Sequence, residues 1–88
     1  MDQDTSRDVL RRLAYIEGHL AGVRRMVEQD QYCVDVLKQT YAIRRAIEKL
    51  EAKLLAGHLH GCVVEGIDAG EGNRVIDELV ELYALANR

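Results

Sequence analysis

The stretch RRAIEKLEAKLL, residues 44–55, decides the fold class of this chain of 88 residues. Apart from one Ile it consists of residues with high helix propensity, and apolar side chains continue its helical spacing upstream to Val36. The chain contains no Pro, the residue that most strongly interrupts a helix. The pattern predicts one helix over residues 31–65, which would be roughly 50 Å long.

A shorter amphipathic helix is predicted before it, within DTSRDVLRRLAYIEGHLAGVRRMVEQ, residues 4–29, with Thr5 as its N-cap. Gly18 and Gly22 lie four residues apart in this segment. Each lowers helix stability by roughly 1 kcal/mol relative to Ala, so we expect them to permit close packing between helices. The polar run that follows marks a break, with Asp30 as a candidate cap.

The end of the chain predicts a loop and a third helix. The loop is EGIDAGEGN, residues 65–73, and the helix is NRVIDELVELYALANR, residues 73–88, with Asn73 as its cap. The first helix is about two thirds as long as the second, so pairing the two leaves part of the second uncovered. We therefore predict an all-α fold of three helices that buries its remaining apolar surface against a second chain.

Composition restricts the class of protein. The chain is 48% hydrophobic and 31% charged, as in folded soluble domains. It shows no membrane-length apolar run and no signal peptide, so we expect a cytoplasmic protein with no membrane partner. Its two cysteines are then expected to be free, catalytic or metal-binding rather than a structural disulfide. No nucleophile–base–oxyanion set is evident, so we expect neither an enzyme nor a small-molecule substrate.

Charge is distributed unevenly along the chain. The net charge of −3 argues by itself against nucleic acid. However, residues 7–25 carry five Arg against two acids, and residues 38–53 carry five basic residues against two acids. Residues 65–88 instead carry six acids against two Arg. The first two thirds of the chain can therefore present a basic face.

Three residues with soft donor atoms are candidate metal ligands: Cys33, His58 and Cys62. His58 and Cys62 lie four residues apart, on one face of a helix, and can chelate one ion, whereas His60 points elsewhere. This pair alone is a weak signal, and an isolated Cys33 is equally compatible with a small buried hydrophobic residue.

The length of the second helix decides how these residues can meet. Cys33 and His58 are separated by roughly 37 Å along one helix, so they cannot bind one ion within a chain. In an antiparallel pair of chains, Cys33 of one would lie beside His58 and Cys62 of the other. Two thiolates and an imidazole suit Cu(I) in trigonal geometry, or Zn(II) or Ni(II) with a fourth ligand.

The stretch YCVDVLKQTYAIRRAIEKLEAKLLAGHLHGCV, residues 32–63, resembles the core of the CsoR-type copper-sensing repressors (the CsoR/RcnR/FrmR family). The family pattern is a Cys, then D-x-L-x-Q, then H-L-x-x-C. The stretch RLAYIEGHLAGVRRMVE, residues 12–28, resembles the family's N-terminal RL-x-RIEGQ-x-x-G helix. The resemblance implies a single metal-sensing, DNA-binding repressor domain over residues 1–88. It also implies an antiparallel helical dimer that pairs into a tetramer without a helix-turn-helix.

Particular residues take on expected roles from this resemblance. Cys33, His58 and Cys62 match the three Cu(I) ligands of the family. Tyr32 and Glu78 match positions that link the ligand His to the rest of the fold. A hydrogen bond to the imidazole nitrogen that does not bind metal would fix the tautomer and carry the signal.

The resemblance also implies a function. Arg12 and Lys49 match basic positions linked to DNA binding, and we include Arg45 in the expected DNA-contacting set. The metal-free protein is expected to bind operator DNA, and Cu(I) is expected to release it so that copper-resistance genes are expressed.

Three residues on the helix expected to face DNA depart from the family pattern, namely Tyr15, His19 and Ala21. Two alternatives accompany the leading hypothesis. One is a persulfide- or thiol-sensing repressor of the same family that uses Cys33 and Cys62. The other is a helical copper-binding protein that does not bind DNA.

Overall fold

The computed structural model describes residues 1–88, and its secondary structure is entirely helical, as predicted. The elements are α1 (Gln3–Glu28), α2 (Cys33–His58), a π-helical segment (Leu59–Val63), α3 (Val64–Asp68) and α4 (Gly72–Ala86). No helix is long and apolar enough to cross a membrane.

The helices lie in a single layer. The molecule measures 56 × 31 × 14 Å, and its short dimension is little more than the diameter of one helix with side chains, about 10–12 Å. Only 7 of the 88 residues are buried. The exposed surface is 6988 Å², whereas a compact monomer of this mass, 10.0 kDa, exposes about 5,200 Å². One chain alone therefore leaves about a third more surface exposed than a compact protein of its size.

The small core lies between α1 and α2, which form an antiparallel hairpin. Val9 and Ile16 on α1 pack against Ile43 and Leu50 on α2. In each helix the two core residues are seven positions apart, which is two helical turns and places them on one face. Burying each of these side chains contributes roughly 1.5–3 kcal/mol, so this seam is the main source of hairpin stability.

The N-terminus of α1 differs from the prediction. Asp2, not Thr5, is the N-cap, and its carboxylate accepts a hydrogen bond of 2.7 Å from the backbone N–H of Thr5. The Thr5 hydroxyl donates a second hydrogen bond, also 2.7 Å, to the same carboxylate. The cap was misplaced because both residues are good N-cap residues and the apolar pattern begins only after them.

The predicted break between the first two helices is confirmed. Asp30 has a positive φ of 55°, and the N–H groups of Asp30 and Gln31 bond back to the carbonyls of Val27 and Met26. This is the Schellman arrangement that ends many helices. The chain then reverses direction into α2.

The long second helix is present but not uniform. After α2 ends at His58, the backbone stays right-handed and helical through the π-helical segment into α3, so the helical rod extends to Asp68. The predicted loop over residues 65–73 is therefore wrong in its first half.

A tight turn joins α3 to α4. Gly70 has a φ of 82° and closes another Schellman arrangement, in which the Glu71 N–H bonds to the Gly66 carbonyl at 2.7 Å. The next helix, α4, begins at Gly72. Its N-cap is Glu71 and not Asn73, which the sequence had predicted.

Close packing between helices occurs at glycines other than the two predicted. Nothing lies within 4 Å of the Cβ position of Gly18, and Gly22 meets only the side chain of Arg25 on its own helix. By contrast, a Cβ on Gly57 would come within 2.7 Å of Thr5 Cγ2, and one on Gly66 within 2.6 Å of Val75 Cγ1. The close approaches of this chain thus lie on either side of the π-helical segment, at Gly57 near the end of α2 and at Gly66 in α3.

Candidate metal centre and basic groove

The three candidate ligands lie at opposite ends of one helix. Cys33 is the first residue of α2 and His58 is its last, while Cys62 lies in the π-helical segment. Both cysteines are free and exposed, and His58 is half-buried. A helix of 26 residues holds its two end residues roughly 37 Å apart, so Cys33 is remote from the other two candidates within the chain.

A single chain does not assemble a complete metal site. No group of three or more His, Cys, Asp or Glu side chains comes together in it. In the predicted centre one chain provides Cys33, and another provides His58 and Cys62. Each chain therefore carries both parts of the site, one at each end of α2.

Cys62 lies within the π-helical segment and His58 immediately before it, and the sequence did not predict this segment. A π-helical turn replaces i→i+4 hydrogen bonds with i→i+5 bonds and often occurs at functional sites. The wider turn sets the direction of Cys62 relative to His58, so the ideal α-helical angle used in the prediction does not apply. His60 lies in the same segment and is exposed.

His58 borders a largely apolar groove between α2 and α4. The groove has a volume of about 520 Å³ and is lined by Met1, Glu51, Leu54, Leu55, His58, Leu82 and Ala86. The imidazole therefore faces a groove whose wall is mostly hydrocarbon.

Tyr32 and Glu78 do not hydrogen-bond to His58 within this chain. Tyr32 occupies the N-cap position of α2 and is 69% exposed. Glu78 on α4 accepts a hydrogen bond of 2.5 Å from Arg74 Nη1, and the same guanidinium binds Glu71. The hydrogen bond to Glu71 and the charges of both glutamates raise the pKa of Arg74 above its ordinary value.

The three predicted DNA-contacting residues share one groove between α1 and α2, which we call the basic groove. Its volume is about 540 Å³, and it is lined by Arg11, Arg12, Tyr15, Ile16, Ala42, Arg45, Ala46 and Lys49. Each helix contributes two cationic side chains. This concentration of positive charge in an otherwise acidic chain is suited to binding a phosphate backbone.

Sequence reasoning missed Asp8, which binds two of these cations. Its Oδ1 accepts a hydrogen bond of 2.5 Å from Arg11 Nη2, and its Oδ2 accepts one of 3.1 Å from Arg12 Nε. The hydrogen bond from Arg12, followed by that from Arg11, lowers the pKa of the Asp8 carboxyl below its ordinary value. The spacing of three and four residues, which places the side chains on one helical face, was the available signal.

Two of the departures from the family pattern form a contact between helices. His19 Nε2 lies 2.8 Å from Gln39 Oε1 on α2, so this nitrogen donates, while the buried Nδ1 has no partner. Tyr15 packs edge-on against the His19 ring, with ring centroids 5.8 Å apart. These residues thus help to hold α1 against α2 at the end of the basic groove.

Comparison with known proteins shows what this chain is similar to. The profile of the family described as metal-sensitive transcriptional repressor matches residues 5–84. The copper-sensing transcriptional repressor CsoR of Bacillus subtilis (strain 168) is 40% identical over 75 residues, which are 85% of this chain and 74% of the relative. CsoR of Mycobacterium ulcerans (strain Agy99) is 41% identical over 78 residues, 89% of this chain and 67% of the relative.

A solved structure shows the same fold. The crystal structure of the copper-sensing repressor CsoR with Cu(I) from Geobacillus thermodenitrificans NG80-2 has a TM-score of 0.94 and 32% sequence identity. The similarity covers 100% of this chain and 92% of that one. The matched fold, the matched residues and the level of identity lead to one conclusion: this chain belongs to the family of metal-sensitive transcriptional repressors.

Proposed function

We propose that the protein is a cytoplasmic Cu(I)-responsive transcriptional repressor. Its metal-free form binds operator DNA, and its Cu(I)-bound form has lower operator affinity, so that copper-resistance genes are expressed. The observation that carries this proposal is the similarity over the whole chain to a Cu(I)-bound CsoR in a chain that has Cys33, His58 and Cys62 at the two ends of one helical rod.

The donor set fits Cu(I) by its chemistry. Thiolate sulfur and imidazole nitrogen are soft ligands that select Cu(I) over hard cations. Both thiols are exposed in a single chain and are free to bind an ion shared with a second chain. The role of the chain is to hold these donors at a fixed separation along a rigid helix, so that an antiparallel copy can bring Cys33 to His58 and Cys62.

This geometry requires an assembly of two or four chains, and the exposed surface of one chain favours such an assembly. The surface exposed beyond that of a compact monomer, about 1,700 Å², is as large as a standard protein–protein interface. Large apolar side chains are exposed along α4, including Ile76, Val80 and Leu85. We propose that a second copy covers this surface and completes the metal site.

DNA binding is assigned to the basic groove. Arg45 and Lys49 form no ion pair within the chain, so their charges are available to phosphate groups. Contacts of this type dominate the affinity of proteins for DNA and weaken steeply with salt. We therefore expect operator binding with a strong salt dependence to which Arg12, Arg45 and Lys49 each contribute.

The decisive experiment is a mobility-shift titration of the DNA upstream of the protein's own gene, performed anaerobically with and without Cu(I). The wild type should shift the DNA without metal and release it with one Cu(I) per predicted site. His58→Ala should bind DNA but no longer respond to Cu(I), while His60→Ala, which alters a nearby imidazole outside the proposed site, should behave as the wild type.

The same titration separates the alternatives. Release by a persulfide donor in both the wild type and His58→Ala, with no response to Cu(I), would identify a thiol sensor that uses Cys33 and Cys62. Tight Cu(I) binding without any DNA shift would identify a copper-binding protein of another role. X-ray absorption of the Cu(I) protein should count two sulfur neighbours and one nitrogen neighbour.

A further inference from the structure

Asp8 is bound to two of the four cations of the basic groove but does not line the groove itself. One carboxylate oxygen accepts from Arg11 and the other from Arg12. The neighbouring depression that Asp8 does line contains Asp4, Arg7 and Arg11. The carboxylate therefore lies behind the arginines rather than at the place where a phosphate would bind.

The atoms involved leave the phosphate-binding end of Arg12 free. Asp8 accepts from Nε of Arg12, which is one of five N–H donors on the guanidinium. The two terminal amino groups keep the other four donors and form no other hydrogen bond to protein side chains. A planar guanidinium held at Nε has a defined plane, and this is the property that permits two parallel hydrogen bonds to a phosphate.

The two arginines differ in how firmly they are held. The Arg12 side chain is 31% exposed, and the Asp8 side chain 20% exposed, whereas that of Arg11 is 78% exposed. The Asp8–Arg12 pair is therefore partly shielded from solvent, and its Arg12 member lines the groove together with Ile16 and Ala46. Lys49 and Arg45 have no such partner.

We propose that Asp8 is a positioning residue for operator binding: it holds the Arg12 guanidinium in the orientation that binds a DNA phosphate in the basic groove. This inference rests on the proposed function, because it requires that the groove binds DNA. It assigns a favourable role in DNA binding to an acidic residue, and simple electrostatics gives the opposite expectation.

The direction in which one substitution changes operator affinity decides between the positioning role and the electrostatic expectation. Asp8→Asn removes a negative charge beside the groove, so electrostatics alone predicts tighter binding to every duplex. If Asp8 positions Arg12, the cost of ordering the freed side chain opposes its phosphate contact, and operator affinity should fall about three- to tenfold as that contact is lost. The slope of log K against log salt should also decrease by about one, because one phosphate contact is lost.

The test uses the full-length protein, with a labelled duplex from upstream of its own gene and a scrambled duplex of the same composition. Asp4→Asn is the matched control: it makes the same change in charge one turn earlier on α1, and Asp4 forms no ion pair. Asp8→Glu is the rescue variant, because a carboxylate at this position can still reach an arginine four residues later.

Weaker operator binding and a lower salt slope for Asp8→Asn, with wild-type or tighter binding for Asp4→Asn and recovery in Asp8→Glu, would support the inference. Unchanged or tighter operator binding by Asp8→Asn would overturn it while leaving the proposed function intact. A wild-type protein that binds neither duplex would overturn both. Thermal unfolding and Cu(I) stoichiometry of each variant, expected to match the wild type, show that a loss of affinity is not a loss of structure.

Discussion

Gly57 faces the methyl group of Thr5 so closely that a Cβ atom at position 57 would lie 2.7 Å from Thr5 Cγ2. The first turn of α1 therefore packs against Gly57, the residue that precedes the candidate ligand His58. Real Cβ atoms do not approach another carbon to this distance, so any larger residue must separate the two helices or displace Thr5.

Gly57→Ala should accordingly destabilise the protein by roughly 1–3 kcal/mol, the usual range for overpacking. Thr5→Ser removes the methyl group while retaining the hydroxyl that bonds to Asp2, so the double variant should recover most of this loss. Urea denaturation at fixed protein concentration measures the stability of the single and the double variant.

Gly18→Ala is the control: nothing lies within 4 Å of its Cβ position, and it should stabilise by roughly 0.5–1 kcal/mol. Equal stability of Gly57→Ala and the wild type would show that the helices do not approach at this point.

The two turns of the chain make a second pair of predictions. Gly70 has a φ of 82° and Asp30 a φ of 55°, both in the left-handed region, where a side chain costs roughly 1–2 kcal/mol. Gly70→Ala should therefore destabilise by about that amount, whereas Asp30→Gly should leave stability unchanged or raise it slightly, because Gly also increases the entropy of the unfolded chain. Thermal unfolding of the two variants should shift in opposite directions or, at the least, by clearly different amounts.

Acid should weaken the start of α1 through Asp2. The backbone hydrogen bond from Thr5, followed by that from its hydroxyl, lowers the pKa of the Asp2 carboxyl below its ordinary value of 3.8. A carboxyl with a lowered pKa in the folded state contributes stability that is fully present above its unfolded pKa and is lost as the pH falls through the folded one. Asp2→Asn keeps an N-cap side chain but cannot titrate. Between pH 7 and pH 2 its stability should decline less than that of the wild type, and parallel denaturation profiles would contradict this.

Hydrophobic spacing was sufficient to predict the hairpin of α1 and α2. The core residues of both helices recur at helical intervals that are visible in the sequence, and the polar run around Asp30 marks the turn. Helix ends were predicted less well. Asp2 and Thr5 are both good caps, and Gly70 and Gly72 make the segment after Val64 look like a loop, although the helix continues to Asp68.

Other features could not be predicted because they depend on which residues meet in space. No residue pattern distinguishes the π-helical segment at Leu59–Val63 from an ordinary helical turn. The contact of Gly57 with Thr5 joins residues that are far apart in the sequence, whereas Gly18 and Gly22 had the helix spacing but no neighbour on another helix. The charges predicted a basic face, and the family resemblance singled out Arg12 and Lys49, but neither predicted the pairing of Asp8 with Arg11 and Arg12, which depends on how these side chains are oriented.

A mixing experiment tests whether two chains share each metal site. Cys33→Ala chains and His58→Ala/Cys62→Ala chains should each bind Cu(I) poorly alone, because neither variant can complete a site with its own copy. In a mixed antiparallel dimer each chain supplies the ligands that the other lacks, which gives one intact site per dimer.

Equal amounts of the two variants, unfolded together and refolded, should recover about a quarter of the wild-type Cu(I) capacity if the chains pair at random. Anaerobic titration against a Cu(I) chelator measures this capacity. The matched control mixes Cys33→Ala with Cys33→Ala/His60→Ala, a pair that cannot form a site in any combination. Mixed dimers that form but bind no Cu(I) would contradict the shared site.

The last prediction concerns how the state of the metal site reaches the DNA-binding surface. We expect Tyr32 and Glu78 to sense His58 without binding metal. When one imidazole nitrogen of His58 is coordinated, the other is left as a hydrogen-bond donor, and a carboxylate is a strong acceptor for it. Within one chain Glu78 Oε1 is instead bound to Arg74, which leaves the second carboxylate oxygen to take this role.

Glu78→Gln should bind Cu(I) with near wild-type affinity and bind operator DNA normally without metal, but it should release DNA poorly when metal is present. Allosteric coupling typically amounts to 1–3 kcal/mol, or about 5- to 150-fold in affinity, and loss of one charge-assisted hydrogen bond can remove most of it.

Glu71→Gln is the matched control, since it neutralises the other carboxylate that binds Arg74 and has no expected contact with His58. Tyr32→Phe, which removes only a hydroxyl, tests the second sensing position. All three quantities are measured for each variant in one buffer. If Cu(I) lowers the operator affinity of Glu78→Gln by the wild-type factor, the signal leaves the metal site by a route that does not include Glu78.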